Sequence, residues 1–111
     1  MKMNETQRIL FESADLIRAR GLAKYARVAE NGSCCIHGAI SIAETGDPDT
    51  GATWRSSAAV TAVREAINAL GYVNPYNKLP YKTGVAPWNN EKERTRDEVI
   101  TVLEYAASVH A

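Results

Sequence analysis

The sequence predicts a mainly α-helical protein, a compact bundle of about four helices, and three observations favour it. Apolar residues recur at helical spacing in four separate stretches. Residues that typically start or stop helices flank these stretches. The length of 111 residues, with 45% hydrophobic and 23% charged side chains, is typical of one globular domain over residues 1–111.

The first helix is predicted to start at Asn4, which can act as N-cap with Gln7 at the N3 position. Leu10, Ala14 and Ile17 then form one apolar face. Gly21 suits the end of this helix, because glycine takes the left-handed conformation without a steric penalty.

A short β-hairpin is expected near residues 26–36. Asn31-Gly32 is a favoured pair for a two-residue turn, because both central positions of such a turn need a positive φ. The alanines beside the turn are weak strand formers, so the hairpin is expected to be small.

Two further helices are expected in the middle of the chain. Helical spacing resumes at Cys35 and stops at Gly46, where a loop with Pro48 follows. The third helix ends at Gly71, and its predicted apolar face consists of Ala59, Val60, Val63, Ala66, Ile67 and Leu70.

Residues 72–94 are expected to form a long ordered aromatic loop. Prolines and Gly84 interrupt the helical period, whereas tyrosines and Trp88 give the segment aromatic surface that usually packs on a core or has a function. Trp88 and Asn89 are predicted to be structural and to pin this loop to the core.

The last helix follows a capping box and is predicted over residues 95–109. The Thr95 hydroxyl is expected to accept a hydrogen bond from the Glu98 amide, and the Glu98 carboxylate one from the Thr95 amide. Thr95 and Glu98 are therefore predicted to be structural residues.

The charge balance and the cysteines limit the class of protein. Lysine plus arginine and aspartate plus glutamate both count 13, so bulk attraction to nucleic acid or to an anionic membrane is not expected. The sequence shows neither an apolar signal-peptide core nor a stretch of membrane-spanning length. Cys34 and Cys35 are expected to be reduced, and a cytoplasmic location follows.

Chemical clusters in the sequence are incomplete. Cys34, Cys35 and His37 are adjacent, but a closed zinc site normally needs four ligands, and the other histidine is His110. A catalytic thiol needs a base, and His37 is not expected to face Cys35 from two positions away. We therefore expect no metal, no cofactor and no enzymatic activity, with a small hydrolase or thiol enzyme as the least favoured alternative.

Aromatic and basic residues supply two hypotheses for binding. Tryptophan and tyrosine are common interface anchors, which favours a non-enzymatic protein that binds another protein or a copy of itself. The candidate partner-binding residues are Trp54, Tyr72, Tyr76 and Tyr81. The alternative is a nucleic-acid-associated regulator, whose basic and aromatic surface would include Arg18, Arg20, Lys24, Arg27, Lys78 and Lys82.

Three segments taken together resemble a known family. Residues 35–39 form a Cys-x-x-Gly-Ala segment, residues 88–90 a Trp-Asn-Asn turn, and residues 95–99 a Thr-x-x-Glu-Val helix start. This pattern resembles a family of small uncharacterised actinobacterial and actinophage proteins, in which the turn reads Trp-Asn-Asp. That family has no established activity. The resemblance implies a cytoplasmic accessory protein, such as one of a mycobacteriophage, whose partner is a host or phage protein.

Overall fold

A computed structural model describes residues 2–53, 57–81 and 84–110 and shows a mainly helical globule. The described residues contain five helices rather than about four. They are α1 (Glu5–Arg20), α2 (Ile36–Thr45), α3 (Ala58–Ala69), α4 (Val85–Asn89) and α5 (Arg96–Val109).

The core forms where α1 packs against α2 and α5, and where α3 packs against α5. The N-terminus of α1 meets the C-terminus of α5, because the Gln7 side chain donates a hydrogen bond to the Ala107 carbonyl at 3.0 Å. The largest fully buried aliphatic side chains include Leu10, Ile17, Ile36, Ile40, Ile67 and Leu103.

The predicted starts of α1 and α5 and the predicted end of α2 are confirmed by the residues that cap them. Asn4 caps α1 in a capping box with Gln7, and Thr95 caps α5 in a capping box with Glu98. Gly46 adopts the left-handed conformation after α2, with φ 81°. Local sequence was sufficient to place the two helix starts, because the two partners of each capping box lie three residues apart.

The predicted apolar face of α3 extends one residue too far. Ala59 and Ile67 are buried as expected, whereas Leu70 lies just beyond the helix and is exposed. Gly71 follows at φ 85°, which turns the chain away from the helix axis.

The predicted β-hairpin is not supported. Residues 26–36, all of which the structure describes, form only isolated bridges: Cys34 pairs with Val28 on one side and with Leu22 on the other. The segment between these two partners is bent and includes Tyr25 at φ 63°. A bent segment that wraps around one residue cannot supply the extended edge that a hairpin requires.

The turn in this segment also differs from the expected one. Gly32 donates its amide hydrogen bond to the Ala29 carbonyl at 2.9 Å, so Glu30 and Asn31 are the central residues of the turn. Gly32 follows at φ 88°, whereas Asn31 is not at positive φ. The Asn-Gly pair therefore marks a turn here but not the two-residue hairpin turn.

Helix α4 replaces part of the long loop predicted over residues 72–94. Pro87 interrupts the sequence pattern, yet it occupies the third position of the helix, where a backbone N–H has no partner within the helix. The missing N–H of proline therefore costs α4 no hydrogen bond. Gly84 precedes the helix, and Trp88 and Asn89 end it.

Among residues 2–53, 57–81 and 84–110, none of the helices combines the length and the apolar character needed to cross a membrane.

Candidate functional site

The inner side of α4 is closed around Trp88, whose side chain is 0% exposed. The ring of Tyr72 meets it edge-on, with ring centroids 5.2 Å apart and planes at 75°. The Arg94 guanidinium lies 4.0 Å from the Trp88 ring centroid and 4.7 Å from that of Tyr72. Its Nε donates to the Trp88 carbonyl at 3.0 Å, and its Nη1 contacts Glu98 at 3.3 Å. This side joins α4 to the start of α5.

Asn89 joins α4 to the start of α2. Its side-chain oxygen accepts a hydrogen bond from the Ile36 amide, and its Nδ2 donates to the Ala23 carbonyl, both at 3.0 Å. The side chain is buried, so these bonds satisfy backbone groups that water does not reach. The Trp-Asn turn and the Cys-x-x-Gly-Ala segment therefore meet in space.

The Cys-x-x-Gly-Ala segment itself has a structural explanation. Cys35 is the N-cap of α2, and its sulfur accepts a hydrogen bond from the Gly38 amide at 3.3 Å. A Cβ atom at Gly38 would lie 2.0 Å from the Arg27 carbonyl oxygen. Only glycine fits this approach without a shift of the backbone.

The outer side of α4 is open and forms the floor of a groove. Ala86 and Pro87 are exposed there, and Tyr25 and Tyr76 line the same groove with 84% and 89% of their surfaces exposed. We call this feature, of about 480 Å³, the tyrosine groove. Its remaining lining residues are Asn74, Asn90, Glu91 and Lys92.

Asparagine side chains fix the backbone of both tyrosines. Tyr25 has φ 63°, a left-handed conformation that is costly for a residue with a Cβ, and its amide donates to Asn90 Oδ1 at 2.9 Å. The Tyr76 amide donates to Asn74 Oδ1, also at 2.9 Å. Tyr25 was not among the sequence candidates. Its backbone amide is bonded by Asn90, 65 residues further along the chain, and no local pattern signals that contact.

A second cavity adjoins the tyrosine groove and shares Tyr25, Ala86 and Asn90 with it. We call this cavity, of about 400 Å³, the arginine pocket. Its remaining lining residues are Ala26, Arg27, Cys35, His37 and Asn89. Residues 25–27, the start of α2 and the end of α4 thus contribute to one concave surface.

The thiol and the imidazole in the arginine pocket are both held in their neutral forms. Burial raises the pKa of Cys35, against the lowering effects of the Gly38 and His37 amides and of the Arg27 charge. Burial lowers the pKa of His37, and the Arg27 charge lowers it further, although the bond to the Ala52 carbonyl opposes both. That bond, 2.9 Å long, places the proton on Nδ1 of neutral His37 and leaves Nε2 as an acceptor.

The sulfur chemistry of this region is limited. Cys34 and Cys35 are both buried free cysteines. In the part of the chain that the structure describes, the His37 ring makes no hydrogen bond to the Cys35 thiol. The same part brings no three His, Cys, Asp or Glu side chains together as a possible metal site.

Two of the predicted partner-binding tyrosines are committed to internal contacts. Tyr81 is 4% exposed, and its hydroxyl donates to Glu91 at 3.2 Å. Tyr72 is half-buried against Trp88, and its hydroxyl donates to Glu98 at 3.4 Å. Burial raises the pKa of both tyrosines, and the neighbouring carboxylates add to this. Tyr76 is the one predicted tyrosine among these three that faces solvent. Trp54 lies outside the described residues.

The predicted basic residues are largely engaged with the protein itself. Arg18 pairs with Asp15 at 2.6 Å and with Glu104 at 3.2 Å. Lys24 donates to the backbone carbonyls of Glu91 and Lys92.

Three further basic residues complete this predicted surface. Arg27 donates to the carbonyls of Pro48 and Gly51, and exposed Lys78 donates to that of Pro75. Arg20 is exposed at the end of α1. Lys82 lies outside the described residues.

Comparison with known proteins gives one match. The model of a family described as "Family of unknown function (DUF6197)" matches residues 1–109. No curated protein and no solved structure matches the chain.

Proposed function

Since the chain belongs to DUF6197, a family of unknown function, we propose its function from the site itself: it is a non-enzymatic protein that binds another protein through the tyrosine groove. One observation carries the proposal. Tyr25 and Tyr76, two large aromatic side chains, are almost fully exposed on one concave surface. Tyrosine contributes large, rigid contact area at low entropic cost, which makes such a pair suited to an interface.

The fixed backbone beneath the groove supports the proposal. The left-handed conformation of Tyr25 is maintained by Asn90, which itself accepts a hydrogen bond from buried Asn89 at 3.1 Å. Backbone conformations of this kind cost free energy and are concentrated at functional sites. A surface already held in its binding conformation loses less entropy when a partner binds.

The proposed context comes from the resemblance of residues 35–39, 88–90 and 95–99 to actinobacterial and phage proteins. We propose a cytoplasmic accessory protein, encoded by an actinobacterium or by its phage, with a host or phage protein as partner. A second copy of the chain is the alternative partner.

Other functions have less support from the site. A nucleic-acid-associated regulator would need free basic side chains, whereas Arg18 is paired with two carboxylates. A thiol enzyme would need a reactive thiolate, whereas burial raises the pKa of Cys35. The first observation favours a protein over a nucleic acid as partner, and the second favours a non-enzymatic role.

Affinity capture with quantitative mass spectrometry tests the proposal. The tagged protein and a Tyr25→Ser/Tyr76→Ser variant are expressed in an actinobacterial host. Val109→Ser is the matched control, because Val109 is 56% exposed but lies at the end of α5, outside the groove. We expect specific partners with the wild-type protein and the control, and their loss with the double variant.

Two results would contradict the proposal. One is repeated capture without any specific partner. The other is the same set of partners for the wild-type protein and for a double variant that circular dichroism shows to be folded.

A further inference from the structure

The Arg27 guanidinium is fixed along one edge and free along the other. Its Nη1 donates to the carbonyl oxygens of Pro48 and Gly51, both at 2.9 Å. Within the described residues, neither Nε nor Nη2 of Arg27 has a hydrogen-bond partner, and no carboxylate pairs with this side chain. The Nε–Nη2 edge of arginine is suited to two parallel hydrogen bonds with a carboxylate.

A comparison with Arg94 shows what is unusual about Arg27. Arg94 is also partly buried, but its Nε donates to a backbone carbonyl and its Nη1 pairs with Glu98. Arg27 is also held by two hydrogen bonds, but both go to backbone carbonyls and neither to a carboxylate. An unpaired cation at the wall of a cavity is a binding group for an anion.

The arginine pocket around Arg27 is rich in donors and lacks acids. None of the eight described residues that line it is aspartate or glutamate. Asn90 uses its side-chain oxygen for the Tyr25 amide and for Asn89, and its Nδ2 donates to none of the described residues. Burial lowers the pKa of His37 and raises that of Cys35, and the positive charge of Arg27 acts to lower both. The pocket therefore combines one positive charge with unused hydrogen-bond donors.

We propose that the partner presents an aspartate or glutamate side chain to the free edge of Arg27, while the neighbouring residues of the same extended segment pack between Tyr25 and Tyr76. This inference rests on the proposed function and specifies the chemistry of the partner. Charge complementarity carries it. The arginine pocket opens into the tyrosine groove through the shared residues Tyr25, Ala86 and Asn90, so one peptide can occupy both.

A protein segment fits this surface better than a nucleic acid. Glu91 lines the tyrosine groove, and exposed Glu93 lies beside it, so successive phosphates along a strand would meet carboxylates. Lys24 is engaged with two backbone carbonyls. One carboxylate on a largely uncharged segment matches the free guanidinium edge of Arg27.

The experiment selects short random linear peptides, displayed on a surface, for binding to the full-length protein. Peptides that lose binding to the Tyr25→Ser/Tyr76→Ser variant are kept, and the best is synthesised with each acidic residue replaced by its amide. We expect enrichment of aspartate or glutamate at one position, and at least a roughly tenfold loss of affinity when that residue becomes Asn or Gln. Because the change is made in the peptide, folding of the protein is not affected.

A protein variant gives the reciprocal test. Arg27→Lys retains the charge but not the bidentate edge. We therefore expect it to lower the affinity for the acidic peptide and to leave the affinity for the amide peptide nearly unchanged. Arg20→Lys is the matched control, because Arg20 is exposed at the end of α1 and does not line the pocket.

The outcomes separate this inference from the proposed function. Tyrosine-dependent peptides without a preferred acidic position would overturn the inference and leave the proposed function intact. A selection without any tyrosine-dependent peptide would overturn both. Binding of single-stranded oligonucleotide that depends on Arg27, or self-association that Arg27→Lys abolishes, would also overturn the inference, in favour of a nucleic acid or of a second copy.

Discussion

The two sides of α4 differ in almost every physical respect. On the inner side, Trp88 and Asn89 are buried. Trp88 contacts Arg94, which pairs with Glu98 of α5, and Asn89 bonds the first residue of α2. On the outer side, Ala86 and Pro87 are exposed on the floor of the tyrosine groove. Five residues thus serve as both an internal joint and the base of a surface.

This difference explains how such a short helix can present a site. A helix of five residues is not stable alone, because nucleation costs more free energy than one turn recovers. The inner contacts of Trp88 and Asn89 supply the missing stability, and they fix the position of the outer side. Changes on the inner side should therefore reduce the free energy of unfolding, whereas changes on the outer side should reduce binding alone.

The largest effect is expected from Trp88→Ala. The change removes a fully buried indole and its contacts with Tyr72 and Arg94, so the free energy of unfolding should fall by about 3–5 kcal/mol. Urea denaturation measures this loss.

The control for this variant is Trp88→Phe. The indole N–H of Trp88 has no acceptor among the described residues, so phenylalanine loses volume but no hydrogen bond. Trp88→Phe should lower the free energy of unfolding clearly less than Trp88→Ala does. Equal costs for the two variants would show that the joint does not depend on aromatic packing.

A smaller decrease in the free energy of unfolding is expected from Asn89→Ala. The Ile36 amide and the Ala23 carbonyl would both lose their buried partner, so the free energy of unfolding should fall by about 2–3 kcal/mol. Asn77→Ala is the matched control, because the Asn77 side chain bonds an exposed loop amide, that of Leu79. If Asn89→Ala lowers the free energy of unfolding as little as the control does, then Asn89 does not stabilise the joint.

The sequence was sufficient to predict the buried inner side of α4, but not its exposed outer side. The capping boxes at Asn4 and Thr95 were predictable, because each involves residues three positions apart. Trp88 was predictable as an anchor from its place beside prolines and a helix start. Helix α4 was not, because five residues that include Pro87 carry no periodic pattern.

Long-range contacts account for the remaining differences. Tyr25 is held by Asn90, a contact that local sequence cannot indicate. The expected hairpin is reduced to an isolated antiparallel bridge between Val28 and Cys34, because residues 24–27 are bent and Cys34 also bridges Leu22. Composition likewise cannot separate an exposed tyrosine such as Tyr76 from a buried one such as Tyr81.

A modest, pH-dependent effect is expected from Glu98→Gln. Burial raises the pKa of Glu98, but the Thr95 amide and the Arg94 charge outweigh it and hold the pKa below the usual 4.5. A lowered pKa in the folded state stabilises the protein above the unfolded pKa, and this stability is lost as the pH falls through the folded value. The side chain is 37% exposed, so solvent screening limits the difference at pH 7 to about 0.5–1 kcal/mol.

Urea denaturation of the wild-type protein and of Glu98→Gln, from pH 7 to about pH 3, tests whether their difference in stability decreases at low pH. The wild-type advantage should shrink below pH 4.5, the usual value for Glu98. A constant difference across this range would show that the carboxylate charge contributes nothing to the joint.

The last variant, Tyr25→Gly, is expected to change stability in the opposite direction, and it gives the sharpest test of the comparison. A left-handed residue with a Cβ costs roughly 1–2 kcal/mol, which glycine avoids, whereas the greater freedom of glycine in the unfolded chain costs about 0.5–1 kcal/mol. The free energy of unfolding should therefore rise by between about 0 and 1.5 kcal/mol, while partner binding is lost with the exposed ring. Thermal unfolding and affinity capture on the same preparation measure both quantities. If the variant unfolds at a lower temperature, Tyr25 has a structural role like that of the inner side of α4. If the variant retains its partners, Tyr25 does not contribute to binding in the groove.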